Sequence, residues 1–238
     1  MNYLDLTLPT LPENLALDEA LLLSAEAGQS GEVLRFWEWP KFAVVLGAGC
    51  RLADDVNDAA CSADGIPIAR RSSGGGTVLL GPGCLLFTLV LGYDRSPLLR
   101  ETRSSYCYIL QRLQKALARF HPDASCAGTS DLTLEGRKFS GNAQQRKRHH
   151  FLHHGTLLYE FDLNRIGRYL HMPARQPEYR RQRDHGAFLM NLATDPASVK
   201  AELCAIWEVE NRSWPWPQPL ANQLTAEQYT QRQWIYRR

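Results

Sequence analysis

Residues 128–161 read GTSDLTLEGRKFSGNAQQRKRHHFLHHGTLLYEF. Leu132–Leu134 and Arg137–Phe139 flank Glu135-Gly136, a two-residue, glycine-containing turn, so this stretch predicts a tight β-hairpin. His154–Phe161 is a further β-rich run. Upstream, Ile66–Arg71, Thr77–Leu80 and Leu85–Gly92 read as strands, the last two separated by Pro82-Gly83. Val33–Trp39 and Ala43–Gly47, bounded by Pro40 and Gly47, predict a hairpin-like strand pair. Helices interrupt these strands. Tyr106–Phe120 places Ile109, Leu110, Leu113, Ala116, Leu117 and Phe120 on one helical face. Asn14–Ala27 reads as an amphipathic helix capped by Asn14, and Asn164–Leu170, Pro196–Glu208 and Ala226–Trp234 read as helical. The sum is an α+β fold, a mainly antiparallel sheet with helices packed on it.

The 238 residues show no repeat and no low-complexity linker, which predicts one domain over 1–238. Hydrophobic residues at 44% and charged residues at 22% exclude disorder and coiled coil for the chain as a whole. A formal charge of +2 is too small to attract nucleic acid or a membrane across the whole surface. The six cysteines are scattered, with no paired spacing for zinc or a disulfide framework, which favours a reducing compartment. The N-terminus lacks a basic segment followed by an apolar one, and no stretch approaches the roughly 20 apolar residues of a span. A cytoplasmic location is expected.

Two segments carry chemistry. Arg70-Arg71-Ser72-Ser73-Gly74-Gly75-Gly76 combines guanidiniums, hydroxyls and glycines whose backbone can approach a ligand, a candidate phosphate or carboxylate cradle. It is not a Walker loop, since no Gly-Lys-Ser/Thr follows and Thr77–Leu80 is strand-like. A plain turn between strands is the alternative. Lys138 follows the predicted hairpin turn and precedes Ser140-Gly141-Asn142, where a cation beside small residues stabilises charge on a phosphoryl or carbonyl oxygen. A solvated hairpin lysine is the alternative there. His149, His150, His153 and His154 suggest a metal site only if helical, and the strand-like GTLLYEF that follows argues instead for a basic loop and no metal. Arg137, Lys138, Arg146, Lys147, Arg148 and these histidines, joined by Arg175, Arg180, Arg181 and Arg183, predict a positive patch for an acidic protein or nucleic acid, and without an RNP-like aromatic pattern the protein is favoured. Cys126 is a candidate nucleophile if its thiol is activated, and an incidental thiol otherwise.

Taken in order, LALDEALL (15–22), ARRSSGGGTV (69–78), LFTL (86–89), SDLTLEGRKFSGNAQ (130–144) and HHGTLL (153–158) resemble the lipoate-protein ligase A family, within the biotin and lipoate protein ligase superfamily. The resemblance runs from the N-terminal helix to about Leu170. It implies a mixed, mainly antiparallel sheet with packed helices, and an enzyme that attaches lipoyl or octanoyl groups to one lysine of a lipoyl carrier domain. With ATP and Mg²⁺, the ligases of this family convert lipoate to lipoyl-AMP, and the carrier lysine then displaces AMP. Carried over by motif, Arg70, Ser72, Gly74, Gly75, Gly76 and Thr77 would line the acyl and phosphate pocket. Lys138, beside Ser140, Gly141 and Asn142, would hold the reacting oxygens, and Asp131 would face the adenylate. His154, Gly155 and Thr156 would close the pocket floor, and Leu17, Trp37 and Val44 would form the apolar slot.

The chain departs from the family pattern in three places. Leu80-Gly81 stands where a His-Asp pair is common, Ser130 replaces the usual Asn before Asp131, and QRQWIYRR (231–238) resembles the segment closing the large domain. The family's small C-terminal domain is therefore expected to be absent, its role falling to a separate accessory polypeptide. Two alternatives remain: an ATP-independent octanoyl or lipoyl transferase using a Cys126 thioester, and a non-catalytic binder of lipoylated carrier.

Overall fold

The computed structural model describes residues 1–238. Its strands are β1 (Asn2–Asp5), β2 (Val33–Glu38), β3 (Ala43–Leu46), β4 (Ile68–Arg70), β5 (Val78–Leu80), β6 (Cys84–Gly92), β7 (Ser125–Ala127), β8 (Asp131–Leu134), β9 (Arg137–Arg146) and β10 (His150–Leu158). The helices are α1 (Leu11–Glu26), α2 (Leu52–Asp55), α3 (Asp58–Ala63), α4 (Thr102–Leu117), α5 (Ile166–Tyr169), α6 (His185–Phe188), α7 (Pro196–Ile206), α8 (Gln218–Leu224) and α9 (Arg232–Ile235). A seven-stranded sheet runs β1-β2-β6-β10-β9-β8-β7, antiparallel except for the β1–β2 pair. A second sheet, β4-β3-β5, lies beside it. The α+β class with a mainly antiparallel sheet is as the sequence predicts, and no helix is long and apolar enough to cross a membrane.

Pairing in the large sheet sorts its side chains onto two faces. Phe36, Phe87, Gly155 and Asn142 stand in one cross-strand row, and Trp37, Leu86, Thr156 and Gly141 in the next. The first row belongs to the face covered by α4 and α7. There Ile109, Leu110, Leu113, Val199, Leu203 and Trp207 join Phe36, Phe87 and Phe139 in the largest apolar cluster. Each such side chain contributes on the order of 2 kcal/mol through burial. The second row faces α1 and the small sheet, where Trp37 and Leu86 cluster with β3 and β5.

Four local predictions need correction. Val33–Trp39 and Ala43–Gly47 do not pair, because both edges of β2 are filled by β1 and β6, and β3 joins β4 and β5 in the other sheet. Helix α1 begins before Asn14: Thr10 caps it, and Glu13 returns a bond to the Thr10 N–H at 2.8 Å. Asn14 lies inside the helix, fully buried, bonding Leu8 and Arg35. Nor is α1 an amphipathic surface helix, since Leu15 to Leu22 are buried on every side. The predicted C-terminal helix over Ala226–Trp234 is broken into a π-helical turn, Thr225–Tyr229, and α9.

Candidate active site

A cavity of about 560 Å³ opens between the large sheet's α1-side face, the small sheet and the segment from α5 to Leu189. This volume suits a small ligand. Its apolar wall includes Leu15, Trp37, Val45, Leu79 and Leu86. Of the residues predicted for the slot, Trp37 lines the cavity, whereas Leu17 and Val44 do not. Leu17 packs instead with Val90 and Leu152, and Leu15 and Asp18 of the same helix reach the cavity. Along β3 successive side chains alternate, so Val45 faces the cavity and Val44 the other way.

Lys138 reaches the cavity because of an irregularity in its strand. Pairing runs Asp131↔Gly141 and Leu132↔Ser140, then shifts to Thr133↔Lys138, leaving one extra residue on β9. Without that bulge Lys138 would fall on the face opposite Asp131; with it, the two share a face. Lys138 Nζ lies 2.8 Å from Asp131 Oδ1, and the Tyr179 hydroxyl donates to Asp131 Oδ2 at 2.7 Å. Burial, with the Asp131 charge beside it, raises the Tyr179 hydroxyl pKa, so that group remains a donor. Gly141 has a steric reason: a Cβ there would come within 2.6 Å of Lys138 Nζ. The turn before β9 is as predicted, with Glu135 and Gly136 both at positive φ.

Arg71, Gly75, Gly76 and Thr77 of the arginine–glycine run line the same cavity as Lys138. Arg71 is buried with no carboxylate partner, and its guanidinium is spent on the loop itself. Nε donates to Ser73 Oγ at 2.9 Å, and Nη2 to the Gly74 and Gly76 carbonyls at 2.6 and 2.8 Å. Burial lowers its pKa to about 10, which leaves it charged at neutral pH. With the carbonyls drawn toward Arg71 and the Gly75 carbonyl accepting from Cys50 Sγ, the N–H groups of Gly74, Gly75, Gly76 and Thr77 have no partner within the protein. Consecutive amides without a protein partner, beside a buried cation, are the groups from which anion-binding concavities are built.

Among the predicted residues, Gly75, Gly76, Thr77, Asp131, Lys138, Ser140, Gly141, Asn142, His154, Gly155 and Thr156 line the cavity. Arg70 does not. It is fully buried, its Nε and Nη1 donating to the carbonyls of Ile235, Gly47 and Cys50, and the next residue, Arg71, is the one that lines the cavity. Ser72 turns away to Gln145, and Gly74 lies just outside the lining. Gly155 contributes backbone only. A Cβ there would strike Asn142 Oδ1 and Phe87 on the far face, so its smallness serves packing.

Adjacent histidines point to opposite faces of β10. His154 Nε2 lies 2.6 Å from Ser73 Oγ, and its Nδ1 is 3.5 Å from Asp18 Oδ2. Burial lowers the His154 pKa against the pull of Asp18. Although burial opposes it, Arg35 together with His154 holds the Asp18 carboxyl below its usual range. His153 is buried on the far face between Gln144 and Asn142, its pKa lowered to about 3 by burial. His149 and His150 instead donate their backbone N–H groups, with Arg148, to the Glu26 carboxylate. No three His, Cys, Asp or Glu side chains converge to hold a metal.

The basic patch divides. Lys138, Arg175 and Arg180 line the cavity, whereas Lys147 and Arg148 sit at the β9–β10 tip, about 20 Å along the strand from Gly141. Arg146 is not a patch residue: its guanidinium donates to the Leu99 and Arg100 carbonyls. Cys126 pairs with Leu132, which sits in the α4-side core, and its Sγ reaches toward Gln114 of α4 at 3.6 Å. Burial raises its thiol pKa, the reverse of what activates a nucleophile. Sequence reasoning placed Arg71 in the candidate cradle but chose Arg70 as the pocket residue, and it passed over Asp18 and Tyr179. The adjacent arginine pair signalled the first only as one of two, and nothing in the sequence signalled the others.

The lipoyl protein ligase A/B catalytic domain model matches residues 10–195. The chain is 31% identical over 159 residues to the "Probable lipoate-protein ligase A" of Mycoplasma pneumoniae, covering 67% of this chain and 45% of that protein. It is 27% identical over 172 residues to the octanoyltransferase LipM of Clostridioides difficile, covering 64% of this chain and 63% of that protein. The chain therefore spans less than two thirds of these two relatives. The LipM of Carboxydothermus hydrogenoformans is 26% identical with 94% of each chain covered. Among solved structures, a bipartite lipoate protein ligase from Thermoplasma acidophilum superposes with a TM-score of 0.82 at 22% identity, covering 99% of this chain and 95% of that one. A lipoate-protein ligase A bound with ATP gives the same TM-score and identity, covering 99% and 98%. At these identities the solved structures establish the fold.

Proposed function

Because the chain belongs to the lipoyl protein ligase A/B catalytic domain family, enzymes that include lipoate-protein ligases and octanoyltransferases, we propose that it is an ATP-dependent lipoate-protein ligase. A lipoate or octanoate carboxylate oxygen attacks the α-phosphate of ATP, the bond to pyrophosphate breaks, and an acyl-adenylate forms. The amine of a carrier-domain lysine then attacks the acyl carbonyl. A C–N bond forms, the C–O bond to phosphate breaks, AMP leaves with the electron pair, and the amine proton passes to solvent. Mg²⁺ enters with the ATP phosphates as part of the substrate, which needs only one or two protein carboxylates at most. In this reading the Trp37–Leu86 wall takes the acyl chain, the free amides of Gly74–Thr77 receive phosphate oxygens, and Lys138 holds the charge that builds on carbonyl and phosphate. A small accessory polypeptide completes the adenylation step, as a two-part ligase requires.

The observation that carries this reading is the pair of charge-stabilising elements facing one largely apolar cavity: the unpartnered loop amides over Arg71, and Lys138. The transferase reading draws on the LipM relatives, but it needs a thiol at the acyl carbonyl, and none of the six cysteines lines the cavity. A cation and unpartnered donors lining one apolar cavity favour a site that takes up a small anionic acyl ligand over a surface that only grips a lipoylated carrier. Lipoate-dependent exchange of pyrophosphate into ATP tests the proposal. Exchange with the chain, alone or with an accessory polypeptide, supports it; no exchange under either condition removes ATP from the mechanism.

A further inference from the structure

The chain beyond α8 reaches back to the arginine–glycine loop by two separate routes. Along the first, the π-helical turn Thr225–Tyr229 turns the buried Tyr229 so that its hydroxyl donates to Glu19 Oε2 at 2.8 Å, beside Gln228 Nε2 at 3.0 Å. Glu19 Oε1 accepts from Gln145 Nε2 at 3.0 Å, and Gln145 Oε1 accepts from the Ser72 hydroxyl. Along the second, Trp234 Nε1 donates to the Arg70 carbonyl at 3.0 Å, and Arg70 Nε donates back to the Ile235 carbonyl at 2.8 Å. Arg237 adds a bond to the Ala48 carbonyl at 2.6 Å. That residue adjoins Gly47, whose missing Cβ admits the Gly75 carbonyl.

Two features of this arrangement are unusual. Glu19 is a buried carboxylate held only by the neutral donors Gln145, Gln228 and Tyr229, and the turn that brings Tyr229 to it is π-helical, a rare geometry. The loop they reach is the element most in need of outside support. Three consecutive glycines lose much conformational entropy when fixed, and Gly74, Gly75 and Gly76 are exposed. We propose that residues 225–238 are a positioning strap for the anion loop, with Tyr229 and Trp234 as its two fastenings. Neither residue lines the cavity, so both act through Ser72 and Arg70. The inference rests on the loop's being the anion cradle of the ligase.

Hydrogen–deuterium exchange on the full chain tests it without a substrate. The reporters are the Ala48 N–H, bonded to the Ser73 carbonyl at 2.8 Å, and the Arg71 N–H, bonded to the Leu46 carbonyl at 3.0 Å. In Tyr229→Phe and Trp234→Phe, which keep aromatic packing and delete the donor, exchange at both amides is expected to rise about fivefold, as for one lost hydrogen bond. Amides of α4, on the other face of the sheet, are expected to be unchanged. In the pyrophosphate-exchange assay the same variants are expected to raise the KM for ATP, whose phosphate the loop receives, about fivefold. Unchanged exchange at Ala48 and Arg71, or an equal rise throughout the chain, would overturn the strap. A local rise in a protein that performs no adenylation would leave the strap standing and remove the ligase reading instead.

Discussion

Gly141→Ala moves the Lys138 ammonium without changing any charge. The new Cβ would stand 2.6 Å from Lys138 Nζ and 2.7 Å from Cε, against 3.8 Å from Asp131 Oδ1. The clash is with the far end of a flexible side chain, so Lys138 swings away and the strand stays. The Lys138 side chain is 25% exposed and stays hydrated after the swing, and the buried Asp131 keeps its bond from Tyr179, so the lost ion pair costs on the order of 1 kcal/mol. For a chain of this size that lowers Tm by roughly 2–4 °C. The catalytic cost is larger, because a charge displaced by about 1 Å from the developing oxyanion loses roughly 100-fold in rate. Pyrophosphate exchange and carrier acylation, read beside calorimetric Tm, check both numbers. Wild-type turnover in Gly141→Ala would refute the placement of Lys138 at the reacting atoms, and a loss of Tm well beyond 4 °C would refute the claim that only the side chain yields.

Lys138→Ala is expected to abolish acyl transfer while leaving the circular dichroism spectrum unchanged; retained turnover would take the ammonium out of the chemistry. Cys126→Ser is expected to retain full activity, since the thiol lies on the α4 face, and loss of transfer would instead favour a thioester route. His153 gives a pH signature. Its folded pKa is lowered to about 3 while the unfolded value is near 6.5, so the unfolded chain takes up the extra proton first. The stability from neutral burial is complete above about pH 6.5 and is lost at up to about 1.4 kcal/mol per pH unit as pH falls toward 3. Tm measured between pH 6.5 and 4.5 is expected to fall less steeply in His153→Gln than in the wild type. Equal slopes would place the acid sensitivity elsewhere.

What was legible in the sequence was local. The α4 stripe from Ile109 to Leu117 and the Glu135-Gly136 turn follow from spacing and backbone freedom, and both stand in the structure. Partner choice between strands was not legible. A four-residue link after β2 favours a hairpin locally, and only the competition of β1 and β6 for its edges prevents one. The site divided in the same way. Lys138 and the glycine loop carry their chemistry in residue type, but Arg70 and Arg71 look alike until Arg70 is seen spent on Gly47, Cys50 and Ile235. Leu17 and Val44 failed as slot residues through a rotation of one or two positions, which hydrophobicity alone does not encode. Cys126 failed by strand parity, a property of the β7–β8 register.

The most direct measurement is the intact mass of a lipoyl carrier domain after incubation with this chain. One arm supplies lipoate, ATP and Mg²⁺, with and without a small accessory polypeptide, and the other supplies an octanoylated carrier without nucleotide. A ligase adds a lipoyl mass only in the ATP arm. Acyl transfer from the octanoylated carrier with no product in the ATP arm would contradict the ligase reading and leave a transferase in its place.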